Sequence, residues 1–365
     1  MNSFLLMHKD KKVALVTVAP STGMLHVQTI IDSFYLPYGV KSANIDDIDH
    51  LLTLWYDSRC CLMGRSNYES VLAELGISSH AEMLRFSHMC SLTDCYWFKR
   101  ANENIKWNDV SFHRNGFSSN LNEVLFYGSR IDINNYDSPD ITTDGALPKT
   151  WRRERDGKFV LLKGYDKSDI EACYEIIANT VFTDLGIEHI PYWLETSNGI
   201  TSSVCECIIK SDEEELVPAE NLMRDYDCVG QPNFLPILRE WGFCDEIDKM
   251  ILGDCVIGNL DRHARNYGAI IDSETQQIKR FSPLYDQGGC YLSSNHGFLT
   301  YPPTGASFNK TIPTIPKELL RTVENISMTN IIRTLNNLPL EESHKSNIID
   351  CLNKRIKAIL AFCER

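Results

Sequence analysis

The stretch from Asn259 to Tyr291 constrains the fold of this chain of 365 residues more than any other. Asp261 and Asn266 have the D-x-x-x-x-N spacing of a phosphotransferase catalytic loop. In such a loop the aspartate orients or deprotonates the acceptor hydroxyl, and the asparagine side-chain oxygen binds Mg²⁺. The sequence therefore predicts a loop that combines a catalytic carboxylate with a metal ligand.

A second carboxylate returns to the same place if the residues after Asn266 form a hairpin. Runs with β-forming residues at 267–272 and 278–284 flank the polar segment 273–277, a typical hairpin pattern. Pairing the two runs places Asp286 within a residue or two of Asn266. Hard oxygen ligands from these two points, completed by substrate phosphates, suit a divalent cation.

These motifs resemble those of the HipA-like kinases, whose catalytic lobe is related to that of the phosphatidylinositol kinases. The matching strings are D-R-H-x-x-N from Asp261 to Asn266 and S-P-L-Y-D from Ser282 to Asp286. The resemblance implies that Asp261 is the catalytic aspartate and that Asn266 and Asp286 are metal ligands. Gln287 follows Asp286 here, where protein kinases have the Phe of Asp-Phe-Gly. The alternative is a buried aspartate that caps a turn beside an ordinary hairpin.

The two residues after Asp261 leave alternatives open. His263 is a candidate catalytic residue, but a histidine that holds the loop by hydrogen bonding fits the pattern better. Arg262 could contact a phosphate or pair with a carboxylate.

Phosphate-binding residues are predicted before the middle of the chain. Lys163 leaves the apolar strand Lys158–Gly164, where an inward ammonium could bridge α- and β-phosphate oxygens. The alternative is a side chain that extends to water at the strand end. Gly145 and Lys149 belong to G-A-L-P-K-T, which resembles the family's G-A-x-x-K-T loop and is not a Walker A motif.

Some family members carry an autophosphorylated serine in that loop. The nearest hydroxyls here belong to Thr142, Thr143 and Thr150, so inheritance of this regulation is left open.

A helix predicted from the capping box at Ser168 to about Leu185 carries Glu175 off its apolar stripe. The resemblance implies an ion pair in which Glu175 orients Lys163, as the αC glutamate of protein kinases orients its lysine. An exposed helix glutamate is the alternative.

The predicted strand Ser203–Lys210 resembles the hinge between the lobes of a kinase. Backbone groups of Glu206, Cys207 and Ile208 would then meet the adenine of ATP.

Composition restricts the class of protein. A formal net charge of −13, without a basic stripe, argues against a broad nucleic-acid-binding surface. Thirteen cysteines without a C-x-x-C pair favour buried thiols of a reducing compartment over a zinc site. No run approaches the roughly 18 apolar residues of a transmembrane helix. We therefore expect a cytoplasmic protein without a membrane span.

We predict an α+β, two-lobed, HipA-like kinase fold. The predicted domains are a mainly helical N-terminal subdomain at 1–128 with a first strand at Lys12–Val18, a nucleotide-binding lobe at 129–210 and a helical lobe at 211–365. Helices outside the nucleotide-binding lobe are predicted at Asn44–Arg59, Asn233–Trp241, Asp245–Ile257, Pro316–Thr322, Met328–Leu335 and Glu341–Cys363. The long segment Ser293–Lys310 is either an acceptor-binding or activation segment or a plain connector.

The resemblance implies ATP- and Mg²⁺-dependent phosphorylation of a Ser/Thr hydroxyl on a protein substrate. It also implies an antitoxin-like protein regulator, with no direct nucleic-acid contact by this chain. Two alternatives remain open: a lipid or small-molecule kinase on the same scaffold, and a catalytically silent interaction module.

Overall fold

The computed structural model describes residues 3–19, 23–42, 44, 46–59, 84, 87–118, 126, 137–143, 147–165, 170–197, 199–226, 234–293 and 299–364. The strands in these ranges are β1 (Ser3–His8), β2 (Lys11–Val18), β3 (Leu25–Ile30), β4 (Tyr96–Arg100), β5 (Lys149–Arg153), β6 (Phe159–Tyr165), β7 (Tyr192–Ser197), β8 (Ile200–Glu206), β9 (Glu214–Pro218), β10 (Gly268–Asp272), β11 (Ile278–Phe281), β12 (Thr300–Tyr301) and β13 (Ala306–Ser307). The helices are α1 (Ile48–Arg59), α2 (Trp107–Val110), α3 (Phe112–Asn115), α4 (Ile170–Leu185), α5 (Ala219–Asp225), α6 (Leu235–Glu240), α7 (Cys244–Ile257), α8 (Phe308–Thr311), α9 (Lys317–Arg321), α10 (Met328–Asn336) and α11 (Glu342–Cys363).

The chain forms two compact units. The first unit comprises Met1–Gly164, Glu206–Asp227 and Ile270–Lys279. The second unit comprises Tyr165–Cys205, Cys228–Ala269 and Arg280–Arg365. The predicted domain limits at residues 128 and 210 stay a prediction.

The first unit is built around a four-stranded antiparallel sheet of order β3-β2-β1-β4. Side chains alternate between the two faces of β1, as the pleat of a strand requires. Phe4 and Leu6 pack into one core cluster with Leu52 of α1, whereas Leu5 and Met7 pack into another. This central strand is therefore buried on both faces.

For residues 1–128 the sequence predicted a mainly helical subdomain with one strand, at Lys12–Val18. Among the described residues, α1 confirms the predicted helix, but β1, β3 and β4 were not predicted. The physical reason is clearest for β1. Because both of its faces are buried, its apolar residues run without alternation, and such a short run gives no periodic signal.

Two hairpins contribute residues to the first unit. β5 and β6 pair antiparallel, with Lys149 opposite Lys163 and Arg153 opposite Phe159. Residues 270–279 form the distal part of the β10–β11 hairpin, whose turn is tied to the chain before β9 by the bond from Ser273 N–H to Glu213 O, at 3.0 Å.

The second unit is mostly helical around α4. This helix packs against α7 and α10, while α11 packs against α7 and α9. The buried residues of α4 recur at helical spacing, so they form an apolar face that packs against the neighbouring helices. The helices predicted for this part of the chain are present, with ends shifted by one or two residues, although Asn233 lies outside the described residues.

No helix in the described ranges is both long enough and apolar enough to cross a membrane.

Candidate active site

The predicted catalytic loop starts where α7 ends. Gly258 closes the helix in the left-handed region, at φ +68°. Asn259 follows and is buried; its Oδ1 accepts the N–H of Asp261 at 2.9 Å. Its Nδ2 donates to Oδ1 of Asp254 on α7 at 3.0 Å. The buried side chain of Asn259 thus holds the backbone N–H of Asp261, whereas Asp261 itself is exposed to solvent.

Asn266 is held against the same loop. Its backbone N–H donates to His263 O at 2.9 Å, and its side-chain Nδ2 donates to Asp261 O at 3.0 Å. With the amide nitrogen used in this way, the side chain presents Oδ1 as its acceptor, the atom that a metal requires. The five-residue spacing to Asp261 therefore produces a direct contact between the two residues.

His263 stabilises the loop. Its N–H donates to Asp261 O at 2.8 Å, and its ring Nδ1 accepts the N–H of Arg265 at 3.3 Å. A ring nitrogen that accepts from the loop's own backbone favours the loop-holding interpretation over a catalytic base.

The chain returns to the loop as the hairpin prediction requires. Ser282 directly follows the end of β11, and its N–H donates to O of Gly268, the first residue of β10, at 3.0 Å. Asp286 follows with φ +61°, a left-handed conformation that side chains rarely adopt, and its N–H donates to the Tyr192 hydroxyl at 3.1 Å. Such strained backbone occurs preferentially at functional sites.

The two residues after Gln287 lie beside two of the three carboxylates predicted for the site, Asp261 and Glu175. A Cβ on Gly289 would lie 2.7 Å from Cβ of Asp261, closer than two such atoms can approach. A Cβ on Gly288 would lie 3.3 Å from Oε1 of Glu175. The segment after Asp286 therefore passes directly beside Asp261 and Glu175.

Glu175 is fully buried, so the exposed-glutamate alternative is wrong. Its predicted ion pair with Lys163, which lies in the first unit, stays a prediction.

Arg262 is fully buried and does not face solvent. Its Nε and Nη2 donate to the two carboxylate oxygens of Asp254, at 3.0 and 2.9 Å. Burial alone would lower the pKa of Arg262, but the carboxylate of Asp254 raises it above its ordinary value. Of the two roles left open, the structure assigns pairing with a carboxylate.

Asp254 and Tyr301 were not predicted as part of the site. The Tyr301 hydroxyl donates to Oδ2 of Asp254 at 2.6 Å. Burial and the neighbouring carboxylate together raise the pKa of Tyr301 well above its ordinary value, so the phenol keeps its proton. The apolar periodicity of α7 marks Asp254 only as an interruption, and no local pattern connects it with Tyr301.

In the first unit, Lys149 and Lys163 are direct partners across the β5–β6 hairpin. Directly opposite residues point to the same face of a sheet. Both are buried, with 7% and 3% of their surface exposed, so Lys163 does not extend to water as the alternative required. Two ammonium groups on one face attract anions such as phosphates. Gly145, the third residue predicted for phosphate binding, lies outside the described residues.

The three threonines near this hairpin serve the fold. Thr142 donates to Cys90 O at 2.8 Å, and Thr143 donates to Pro139 O at 2.7 Å. Thr150 is buried and donates to Oδ2 of Asp140 at 3.0 Å. Each of the three hydroxyls thus donates to a group of the first unit, and those of Thr143 and Thr150 belong to buried residues.

The predicted hinge strand ends earlier than expected, at Glu206 instead of Lys210. Cys207 N–H donates to Phe159 O at 2.8 Å, so this amide is not available to an adenine. The Glu206 carboxylate accepts from Lys158 and Lys210, at 2.6 and 2.8 Å, and these bonds lower its pKa. Ile208 packs against a core cluster. Adenine contacts by these three residues stay a prediction.

Comparisons with known proteins identify the fold. No protein-family model matches the sequence, and no curated protein matches it. Among solved structures, HipA of Shewanella oneidensis MR-1, solved with HipB and its operator DNA, matches with a TM-score of 0.57 and 13% identity, over 99% of this chain and 97% of its own. The proinflammatory kinase CtkA of Helicobacter pylori matches with a TM-score of 0.51 and 18% identity, over 61% of this chain and 94% of its own.

The fold is that of a HipA-like kinase. The predicted α+β HipA-like fold is thereby confirmed. Identities this low establish the fold alone.

Proposed function

We propose that the protein is an ATP- and Mg²⁺-dependent phosphotransferase that phosphorylates serine or threonine hydroxyls of a protein substrate. The observation that carries the proposal is the exposed Asp261, whose backbone is bonded to two buried asparagine side chains. Because hydrogen bonds fix the backbone of Asp261 while the residue is exposed to solvent, its carboxylate is suited to contact an incoming acceptor hydroxyl.

The donor set fits Mg²⁺. Asn266 offers an amide oxygen and Asp286 a carboxylate, and hard oxygen ligands of this kind, few in number, are typical of Mg²⁺ sites in phosphotransferases. When bound, Mg²⁺ would neutralise charge on the transferred phosphate and its leaving group.

Lys149 and Lys163 would bind the phosphates of ATP, with Gly145 contributing backbone contacts. Two buried ammonium groups on one face of a hairpin support this assignment. Glu175 would orient Lys163, and the backbone near Glu206, Cys207 and Ile208 would contact the adenine. For Cys207 that contact would come from its carbonyl, since its N–H donates to Phe159.

In the transfer step, Asp261 would accept the proton of the acceptor hydroxyl. The hydroxyl oxygen then forms a bond to the γ-phosphorus, and the bond from that phosphorus to the bridging oxygen of ADP breaks. Positioning and charge neutralisation supply most of the rate acceleration in such reactions.

We also propose a protein regulator of the antitoxin kind, on the fold likeness to HipA, which was solved with HipB and operator DNA. The net charge of −13 argues that DNA contacts would be made by such a partner rather than by this chain.

The proposal is tested by phosphate transfer from γ-labelled ATP with Mg²⁺, with wild type and Asp261→Asn assayed side by side. Protein and lipid extracts serve as acceptors, and gels and thin-layer plates separate the products. We expect label on protein, with a rate roughly 10²- to 10⁴-fold lower in the variant, as expected for loss of a general base.

Other results would select an alternative. Label on a lipid or small alcohol would replace the protein substrate by that acceptor class. Absence of transfer by either protein, together with measurable ATP binding, would indicate a silent interaction module.

A further inference from the structure

The segment 299–307 contacts α7, the helix that leads into the catalytic loop, through the side chain of Tyr301. Thr300–Tyr301 pairs with Ala306–Ser307 as a short hairpin, in which Tyr301 O accepts the N–H groups of Thr304 and Gly305. The Tyr301 ring is fully buried and lies 5.1 Å from that of Phe308, centroid to centroid. This arrangement fixes the position of the Tyr301 hydroxyl.

That hydroxyl donates to Oδ2 of Asp254 at 2.6 Å, the oxygen that also accepts Nε of Arg262 at 3.0 Å. A hydrogen bond to a carboxylate is stronger than one between neutral groups, and burial strengthens it further. Tyr301 therefore restrains the orientation of the Asp254 carboxylate, and Asp254 in turn determines the plane of the Arg262 guanidinium.

The opposite end of that guanidinium reaches both metal-ligand positions. Nη1 of Arg262 donates to Asn266 O at 2.9 Å and to Tyr285 O at 3.0 Å. Tyr285 directly precedes Asp286. Because the guanidinium is planar and rigid, a rotation of Arg262 would move both carbonyls, and with them both ligands.

We propose that Tyr301 is a positioning residue for metal binding, acting through Asp254 and Arg262 on the backbone of Asn266 and of the residue before Asp286. The proposal rests on the proposed function, since it assumes that these two side chains hold Mg²⁺. It gives the segment 299–307 a function beyond that of a plain connector: its fold determines whether the metal ligands are correctly spaced.

The test is the Mg²⁺ dependence of binding of the non-hydrolysable ATP analogue AMP-PNP to the full chain, measured by calorimetry. In Tyr301→Phe, which keeps the buried ring, we expect the Mg²⁺ concentration for half-maximal binding to rise about tenfold, the effect of one lost bond to a charged group. Binding without Mg²⁺ should stay at the wild-type level.

Tyr174→Phe is the matched control. Tyr174 is also a buried tyrosine of the second unit, with its hydroxyl 3.0 Å from Nε2 of His344 and 3.3 Å from Oγ of Ser293, outside the Asp254 network. A comparable loss of thermal stability is expected in both variants, but the Mg²⁺ dependence should change only in Tyr301→Phe. A purely structural role for Tyr301 would give the same Mg²⁺ dependence in both, and the proposal would be overturned while the proposed function stands.

The route through Asp254 is tested by a double-mutant cycle. Asp254→Asn alone should also raise the Mg²⁺ requirement, and adding Tyr301→Phe should raise it little further, because both changes interrupt one pathway. A second tenfold rise in the double variant would contradict that route. If wild type bound AMP-PNP without any Mg²⁺ dependence, both this proposal and the metal site of the proposed function would fall.

Discussion

Two buried charged networks, one in each unit, have similar chemistry but hold different parts of the molecule. In the second unit, Asp254 accepts from Arg262, Asn259 and Tyr301. In the first unit, Glu215 accepts from His8 Nε2 at 2.7 Å and from Cys95 N–H at 2.9 Å. Both carboxylates are almost completely buried. Burial of a paired charge therefore does not distinguish a functional network from a structural one.

The groups at the outer ends of the two networks make the difference. Arg262 ends on the carbonyls of Asn266 and Tyr285, beside the predicted metal ligands. Glu215 joins β1 and β9 to Gln276, whose Nε2 lies 3.3 Å from Oε2 of the carboxylate. His8, Cys95 and Glu215 are residue types that can bind metals, but here N–H donors occupy the Glu215 carboxylate. We infer that the Asp254 network supports catalysis and that the Glu215 network mainly supports folding.

The largest effect on stability is expected when Arg262 is replaced by methionine. The substitution leaves Asp254 buried without its cation, which costs about 3–5 kcal/mol in the free energy of unfolding. Phosphate transfer should be lost as well, because the carbonyls of Asn266 and Tyr285 lose their common donor. Chemical denaturation and the transfer assay measure the two effects.

Arg152→Met is the control, since Arg152 pairs with Glu154 in the first unit and 37% of each side chain is exposed. An exposed pair contributes roughly 0–1 kcal/mol, so this variant should unfold almost as wild type does. Equal losses in the two variants would contradict the distinction between the pairs.

A smaller effect is expected for Glu215→Gln, which removes the charge but keeps the shape. Loss of the charge-assisted bonds should reduce the free energy of unfolding by about 1–3 kcal/mol. The transfer rate of the folded variant should stay within about threefold of the wild-type rate. The loss of one hydrogen bond within the active site would be expected to change the rate more than this. A rate loss as large as that of Arg262→Met would show that the Glu215 network is also catalytic.

The smallest effect is a difference in pH dependence. Burial alone would raise the pKa of Glu215, but His8 and the hydrogen bonds to the carboxylate lower it below the ordinary 4.5. A carboxylate with a lowered folded-state pKa contributes stability above its unfolded pKa and loses it as the pH falls through the folded value. Wild type should therefore lose more stability below about pH 4.5 than Glu215→Gln. Parallel pH profiles of thermal unfolding would contradict this assignment.

The elements of the site that depend on local sequence were predictable. The D-x-x-x-x-N spacing, the polar turn at 273–277 and the helices α4 and α7 all carry their signal within a few residues. The observed hairpin β10–β11 agrees with that interpretation, and it returns the chain to the loop that holds Asp261.

Contacts between distant residues could not be predicted in this way. Asp254 and Tyr301 are 47 residues apart, and no sequence motif that we identified contains both of them. Lys149 and Lys163 were predicted individually, but their position opposite one another depends on the register of the β5–β6 hairpin. The sheet around β1 was missed because a strand buried on both faces lacks the alternation that identifies a strand at the surface.

The central claim, a nucleotide site completed by a metal held by Asn266 and Asp286, is tested most directly by calorimetry of ATP-analogue binding with and without Mg²⁺. Asp286→Asn should lose most of the Mg²⁺-dependent part of binding, because a neutral amide is a weaker ligand than a carboxylate. Asp261→Asn is the matched control: it should bind the analogue like wild type while transferring phosphate roughly 10²- to 10⁴-fold more slowly. Unchanged Mg²⁺ dependence in Asp286→Asn, or no nucleotide binding by wild type, would contradict the account.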